Sequence, residues 1–343
     1  MAAVGLDGGR VVTSEDIRIL AMQPGLIWGF DFHDGAATPV GEQALIEVGP
    51  RPPGFRWLHF NLADGRTGRW FDAFRPLPPA VAELIQSVDQ GQRTVVDGGV
   101  VGMVLHDIEL EFIESEPRVG ELRLALGPDL VITARSHPLR SAEAVKRRLE
   151  AGARVYNPAE ALELIFASML SVFSAINAEL DDQVQAVEDD LLRDRPTTDT
   201  RTFITMRSLM VRMHRLLGGM RATLSRFEDD DAAPPAIVKV SERFVGRLSR
   251  LDADLLAVQS QLRLLRDELD LQAAQQTNQN LYFLSILTAL LMPATLVTGI
   301  FGMNTGGLLW TSARHGSLLA TGLALGSSLV VYLVMRITGF IRR

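Results

Sequence analysis

The sequence predicts an α/β domain followed by long cytoplasmic helices and a C-terminal pair of transmembrane helices. Three observations lead to this fold class. Short runs of β-branched and aromatic residues, bounded by Gly, Pro and Asp, fill residues 1–155. Segments with apolar residues at helical spacing follow. Near the C-terminus, two uncharged stretches, 281–301 and 317–335, are each long enough to cross a bilayer core of about 30 Å.

Within residues 1–155 the apolar runs predict six strands and two helices. The predicted strands are Leu26–Phe32, Arg56–Leu62, Thr94–Val96, Gly99–Leu110, Leu122–Leu126 and Leu130–Ala134. The predicted helices are Pro79–Ser87 and Ser141–Ala151.

Three long helices are expected next, at 157–193, 199–227 and 236–304. Asn157 is the expected N-cap of the first, because Pro158 suits the first helical position. The third has no breaker before Pro293 and would be about 100 Å long if it is continuous. Apolar residues that alternate at spacings of four and three predict a coiled-coil-like seam along it. They are Phe244, Leu248, Leu251, Leu255, Val258, Leu262, Leu265 and Leu269.

Composition and charge narrow the function. All 41 acidic residues lie at or before Asp270, together with 30 of the 34 Lys and Arg, so this part has a net charge near −11. An acidic surface argues against nucleic-acid binding, which needs a basic patch. The chain has no cysteine, which excludes disulfides and thiolate metal sites. It also has no P-loop and no G-x-S-x-G motif, so we expect no enzyme and no cofactor.

Gly302-Met303-Asn304 stands where the first uncharged stretch ends, about a dozen residues before the second. In that position, behind a large soluble region, the tripeptide resembles the signature of the CorA superfamily of divalent-cation transporters. Thr305-Gly306-Gly307, without an acidic residue, is more similar to its ZntB branch than to its magnesium-channel branch. The strands at 57–62 and 130–134 also resemble strands of the CorA cytoplasmic domain.

The resemblance implies a pentameric funnel in which one helix is both cytoplasmic stalk and first membrane span. The implied layout is an α/β cytoplasmic domain (1–155), long cytoplasmic helices with the stalk (156–280), a first transmembrane helix (281–304), an external loop (305–316), a second transmembrane helix (317–336) and a basic cytoplasmic tail (337–343).

One face of the first span is more polar than the rest. On a helix, its residues fall within about 40° of one line. They are Asn278, Leu281, Ser285, Thr288, Met292, Thr295 and Gly299, here called the stripe. Hydroxyl groups suit a pore wall for hydrated cations, because Mg²⁺ and similar ions give up water reluctantly. Helix packing is the alternative for each of these residues. One stripe cannot enclose an ion, so a pore requires a ring of subunits.

Several residues near the stripe have candidate roles. Asn304 side chains and the carbonyls around Gly302 and Met303 would form the pore mouth, although Asn304 also suits a helix C-cap. Met292 would form a hydrophobic constriction. Pro293 predicts a kink, as a hinge or as a tolerated irregularity.

The loop between the spans departs from the magnesium branch. Trp310 is expected at the membrane interface as an anchor. Arg314 and His315 stand where cation pores commonly carry acidic rings. A coupled mechanism, in which zinc moves with protons, is what the ZntB resemblance implies. His315 is a candidate proton carrier, and a solvated loop histidine is the simpler alternative.

Metal ligands are not assigned by the sequence. The six histidines are scattered, without an HxH or HxxxH pair. His106 and Asp107, with Glu109 and Glu111, form an alternating cluster that fits either a metal site or one polar strand face.

Together with these observations, the resemblance implies a homopentameric transporter of divalent cations, with Zn²⁺ as the expected ion, in a bacterial inner membrane. Basic residues after the second span place both termini in the cytoplasm. A Mg²⁺, Co²⁺ or Ni²⁺ channel of the same fold is one alternative. A membrane-anchored scaffold or sensor is another.

Overall fold

The computed structural model describes residues 25–40, 54–73, 77–87, 91–110, 118–193, 200–228, 230–303 and 315–340. The chain divides into two compact units, Met1–Arg263 and Leu264–Arg343. The first unit contains a mixed sheet and most of the helices. The second contains two long apolar helical segments.

The described strands form one seven-stranded sheet with the order β2-β1-β3-β7-β6-β5-β4. Only the central β3–β7 pair is parallel among these neighbours. The strands are β1 (Leu26–His33), β2 (Ala36–Pro39), β3 (Phe55–Asn61), β4 (Arg93–Asp97), β5 (Val100–Ile108), β6 (Val119–Leu126) and β7 (Leu130–Arg135).

All six predicted strands are confirmed, with ends that differ by a few residues. The sequence prediction missed β2, although Asp34-Gly35 is a strong hairpin signal. Asp34 and Gly35 have φ values of 48° and 80°, the left-handed backbone that a tight turn of this kind requires. The turn pairs β2 with β1 in an antiparallel register.

Seven helices lie within the described residues. They are α1 (Gly65–Ala73), α2 (Pro79–Gln86), α3 (Arg140–Glu150), α4 (Pro158–Leu192), α5 (Thr200–Glu228), α6 (Pro235–Gly302) and α7 (Gly316–Ile337). The helices predicted at these places are confirmed, and α1 was missed. The Asn157 side chain accepts a hydrogen bond from the Glu160 backbone nitrogen, as expected for an N-cap.

The apolar core of the first unit lies on both faces of the sheet. On one face, Leu58 and Phe60 of β3 pack with Trp70 of α1 and Val81 and Ile85 of α2. These side chains are almost fully buried. Because β3 is covered on both faces, its side chains are buried from Phe55 to Phe60, the polar Arg56 and His59 included.

The predicted seam of α6 is buried along most of its length. The side chains at Phe244, Leu248, Leu251, Leu255, Val258, Leu262 and Leu265 are buried, and Leu269 is half-buried. The Phe244 ring stacks on Phe166 of α4 with ring centroids 3.9 Å apart. Up to Arg263, this seam therefore fixes α6 against the other helices of the first unit.

Candidate functional site

Three described helices are long and apolar enough to cross a membrane: α4, α6 and α7. Half of the apolar window in α4 is buried within the protein, against 0% in α6 and 11% in α7. Exposing two such windows to water would be very unfavourable, since burial of apolar surface drives folding. The structure therefore favours two membrane spans, the second half of α6 and the whole of α7.

On the α7 side, small residues lie at the contact between α6 and α7. The Ser328 hydroxyl of α7 donates a 2.8 Å hydrogen bond to the Leu290 carbonyl of α6, and Ala324 is buried. The Tyr282 hydroxyl bonds to the Phe340 carbonyl near the other end. Small and hydroxyl residues let helix backbones approach closely in membranes. On α6, the half-buried face consists of Ile286, Ala289, Leu290, Pro293, Ala294, Val297 and Phe301.

The stripe lies on a different side of α6. Every stripe residue is exposed, with Leu281 at 55% and Met292 at 66%. Its centre is roughly 140° around the helix from the face that α7 covers. Within one chain, the second span therefore leaves the stripe uncovered.

The threonine hydroxyls of the stripe bond to their own helix. Thr288 Oγ1 donates to the Leu284 carbonyl at 2.8 Å, and Thr295 Oγ1 donates to the Leu291 carbonyl at 2.9 Å. This is the back-bonding that the packing alternative predicts. A hydroxyl that donates its only proton in this way still has acceptor lone pairs. Each threonine oxygen can therefore accept a hydrogen bond from a water molecule beside the stripe.

Pro293 lies inside α6, and the helix continues through it to Gly302. Proline has no backbone N–H, so one bond of the helical ladder is missing at this turn. Pro293 is half-buried on the α7 side.

Part of the predicted pore mouth is described. Gly302 is the last residue of α6, and the Met303 nitrogen donates to the Ile300 carbonyl at 3.3 Å. Met303 is 52% exposed. Asn304, Trp310 and Arg314, with the rest of 304–314, lie outside the described residues. His315 is described; it is exposed and precedes α7 as its N-cap residue.

The first unit contains a closed polar network that the sequence did not predict. Trp57 Nε1 donates to Thr133 Oγ1 at 3.0 Å, and His59 Nδ1 lies 2.8 Å from the same oxygen. Arg135 donates to His59 Nε2, so Nδ1 carries the proton. Burial, with the nearby Arg135 charge, lowers the pKa of His59 to about 3. His59 is therefore a neutral structural residue.

The sequence cluster at His106 and Asp107 is divided between two environments. Asp107 is fully buried and accepts hydrogen bonds from the backbone nitrogen and hydroxyl of Ser141, at the start of α3. Burial raises the pKa of Asp107 to about 6. His106 is half-buried beside Gln92 and Glu121. No group of three His, Cys, Asp or Glu that could hold a metal occurs in the described parts of the chain, and Glu111 lies outside them.

Comparison with known families identifies the class of protein. The family model described as "CorA-like Mg2+ transporter protein" matches residues 53–337. This match covers β3 to β7, the long helices and both apolar spans. The chain belongs to the CorA-like family of membrane transporters.

Three similar proteins show how far the likeness extends. "Zinc transport protein ZntB" of Pectobacterium carotovorum is 23% identical over 290 residues, covering 82% of this chain and 85% of the relative. "Divalent cation transporter CmaX" of Pseudomonas aeruginosa is 24% identical over 308 residues, covering 86% and 91%. The solved CorA magnesium transporter of Methanocaldococcus jannaschii has a TM-score of 0.75 at 15% identity, over 92% and 98% of the two chains. The resemblance to CorA and ZntB drawn from the sequence is confirmed.

Proposed function

We propose that this protein carries divalent metal cations across a membrane, through a pore lined by the stripes of several α6 helices. The family match supports the transport of cations. The observation that carries the pore proposal is the exposed stripe, which lies roughly 140° from the face that α7 covers. A polar, uncovered face on a membrane helix needs either other copies of the chain or water beside it.

The chemistry of the stripe fits hydrated ions. Thr288 and Thr295 have acceptor lone pairs free after back-bonding. Such oxygens accept hydrogen bonds from the water shell of an ion and do not have to replace that shell. Divalent cations such as Mg²⁺ dehydrate reluctantly, so contact through water lowers the barrier to passage. Met292, at 66% exposure, would provide the apolar constriction that gates by dewetting.

Five copies are proposed, as the family resemblance implies. Asn304 side chains and the carbonyls near Gly302 and Met303 would then meet in one ring at the outer mouth. The inner-membrane location and the cytoplasmic termini are part of the same proposal. Arg336 lies in the last turn of α7 and Arg342 and Arg343 come after it, whereas the loop has only Arg314, which favours this orientation.

Zn²⁺ is the proposed ion, with or without coupling to protons. The loop has Arg314 and His315 but no acidic residue, so it does not concentrate cations electrostatically. The names of the relatives support the choice in part, because ZntB is a zinc transport protein. The name of the solved CorA protein favours Mg²⁺ instead. A Mg²⁺, Co²⁺ or Ni²⁺ channel is therefore the second candidate.

Flux into proteoliposomes separates these candidates. The proposal predicts Zn²⁺ uptake that changes with an imposed pH gradient if protons are coupled. Large Mg²⁺ flux that is independent of the pH gradient, without Zn²⁺ flux, would show that the zinc assignment is wrong. A monomer without flux would instead support the anchored scaffold or sensor.

Two matched threonine variants test the stripe itself. Thr288→Val removes a stripe oxygen at nearly constant volume, and we expect flux to fall by about fivefold or more, since an acceptor is worth about 1 kcal/mol in each subunit. Thr298→Val is the control, because Thr298 also back-bonds but lies roughly 110° from the stripe. Asn304→Ala extends the test to the mouth. Equal flux in Thr288→Val and Thr298→Val would remove the stripe from the mechanism.

A further inference from the structure

A half-buried histidine in the first unit, His106, lies near two buried acceptor atoms that have no hydrogen-bond partner among the described residues. Gln92 precedes β4, His106 lies on β5, and Glu121 pairs with His106 in the β5–β6 register. Gln92 Oε1 and Glu121 Oε1 are both buried without a hydrogen-bond partner in the described residues. Buried polar atoms are nearly always satisfied, so two orphaned acceptors around one imidazole indicate a missing donor.

The present arrangement fixes the protonation state of the ring. Gln92 Nε2 lies 3.2 Å from His106 Nδ1. Since an amide nitrogen can only donate, Nδ1 is the acceptor and the ring proton is on Nε2. Nε2 lies 4.0 Å from Glu121 Oε1, beyond hydrogen-bond distance. A neutral His106 therefore leaves both acceptors unpaired.

Among the described residues, Glu121 is the charged side chain beside the ring. Burial lowers the pKa of His106, and Glu121 partly opposes this effect. The other Glu121 oxygen is 2.7 Å from Arg123. At this point α5 presents Leu216, Gly219 and Thr223, none of which carries a charge.

Gln92 also connects the sheet to α5. The side-chain Nε2 of Gln92 donates to the Leu216 carbonyl at 3.4 Å, and the backbone carbonyl of Gln92 accepts from Thr223 Oγ1 at 3.3 Å. Gly219 allows this approach, since a Cβ there would lie 2.5 Å from Gln92 Nε2. The same amide that bonds to His106 therefore holds α5.

We propose that Gln92, His106 and Glu121 form a proton-binding site whose occupancy controls how the sheet holds α5. A proton from solvent binds His106 Nδ1, and both ring nitrogens then donate. Nε2–H pairs with Glu121 Oε1, and Nδ1–H requires Gln92 to turn its Oε1 toward the ring. The turned amide withdraws Nε2 from Leu216, and the two acceptors become paired. The site has two discrete arrangements, as a switch needs.

The absence of native cysteine makes a direct test simple. Spin labels at Glu83→Cys and Ala222→Cys, on the exposed sides of α2 and α5, report their distance by pulsed electron resonance in the full-length protein in nanodiscs. We expect a shift of this distance between pH 8 and pH 5. His106→Gln should abolish the shift, and Glu121→Gln should move its midpoint to lower pH, because a negative charge near the ring is lost. Gln92→Ala should make the distance independent of pH.

His214→Gln is the matched control, because His214 is also on α5 but bonds to Asp252 of α6 at 2.6 Å. It should keep the transition. Circular dichroism checks that each variant is folded. A transition that persists in folded His106→Gln, or no transition in the parent protein, would overturn the proposal. A shift produced at pH 8 by Zn²⁺ alone would also overturn it, in favour of a metal site. None of these results depends on the pore.

Discussion

The helices α4 and α6 have similar hydropathy but different surroundings. The most apolar window of α4 has a mean hydropathy of 1.7, and that of α6 has 2.0. Half of the first window is buried by the same chain, and none of the second is. Hydropathy measures how much apolar surface a helix has, whereas burial decides whether lipid or other copies must cover it. The first unit buries much of its apolar helix internally, whereas the second leaves its apolar surface for its environment.

The largest expected effect is the difference in unfolding free energy between a substitution in α4 and one in α6. Phe166→Ala in α4 removes a ring stacked 3.9 Å from Phe244, and we expect a loss of about 3–5 kcal/mol in the free energy of unfolding. Phe283→Ala in α6, at 68% exposure, should change it by less than about 0.5 kcal/mol. Denaturant unfolding of the detergent-solubilised protein measures both. Comparable losses would mean that α6 is packed as α4 is.

Lysine substitutions compare the same two helices by membrane insertion, where α6 should be the more sensitive helix. Leu287→Lys places a charge on the exposed apolar side of α6, and it should cost about 3 kcal/mol of insertion free energy. Leu192→Lys, at the 78% exposed end of α4, should insert like the parent protein. Alkaline extraction of membranes measures the inserted fraction. A defect in Leu192→Lys alone would reverse the assignment of the spans.

The pH dependence of the unfolding free energy tests the burial of the Asp107 carboxyl group in the first unit. The pKa of Asp107 is raised to about 6 in the folded state from 3.8. Its contribution to stability is therefore complete below pH 3.8 and is lost as the pH rises through about 6. From pH 4 to pH 7, the parent protein should lose about 2–3 kcal/mol relative to Asp107→Asn. Unfolding free energies at both pH values measure this difference, and a constant difference would contradict it.

The network around His59 should give the smallest effect. Thr133→Val removes the oxygen that accepts from Trp57 and His59, and two buried donors lose their acceptor. We expect a loss of about 1–2 kcal/mol in unfolding free energy. Thr133→Ser keeps the hydroxyl and serves as the control. Equal losses in the two variants would assign the effect to the methyl group.

The sequence predicted the elements whose pattern is local. Strands such as β7 are short runs of mostly apolar residues, and the apolar residues of the long helices recur at helical spacing. The four-residue β2 is too short for a pattern, and α1 begins with Gly65 and contains Gly68, which disguise a helix. The contacts of His59 with Thr133, and of Asp107 with Ser141, join residues 74 and 34 positions apart. The first depends on the β3–β7 register and the second on where α3 begins beside β5, and the sequence alone supplied neither.

The sequence also predicted only part of the candidate site. The stripe followed from the angular period of a helix, so its residues could be found without a structure. The sequence did not determine which face of α6 packs on α7, because apolar residues surround most of the span. Ser328, which bonds to the Leu290 carbonyl, locates that face and leaves the stripe on another side.

The central claim is that the stripe lines a water-filled passage between copies of α6. Single cysteines test it in a chain that has none. Ser285→Cys lies on the stripe, and Leu287→Cys lies on the exposed apolar side, roughly 130° from the centre of the stripe. Each variant is treated in proteoliposomes with a water-soluble, membrane-impermeant thiol reagent while cation flux is recorded. The account predicts that Ser285→Cys reacts and its flux is blocked, whereas Leu287→Cys is protected by lipid. Modification of Leu287→Cys with Ser285→Cys protected would contradict it.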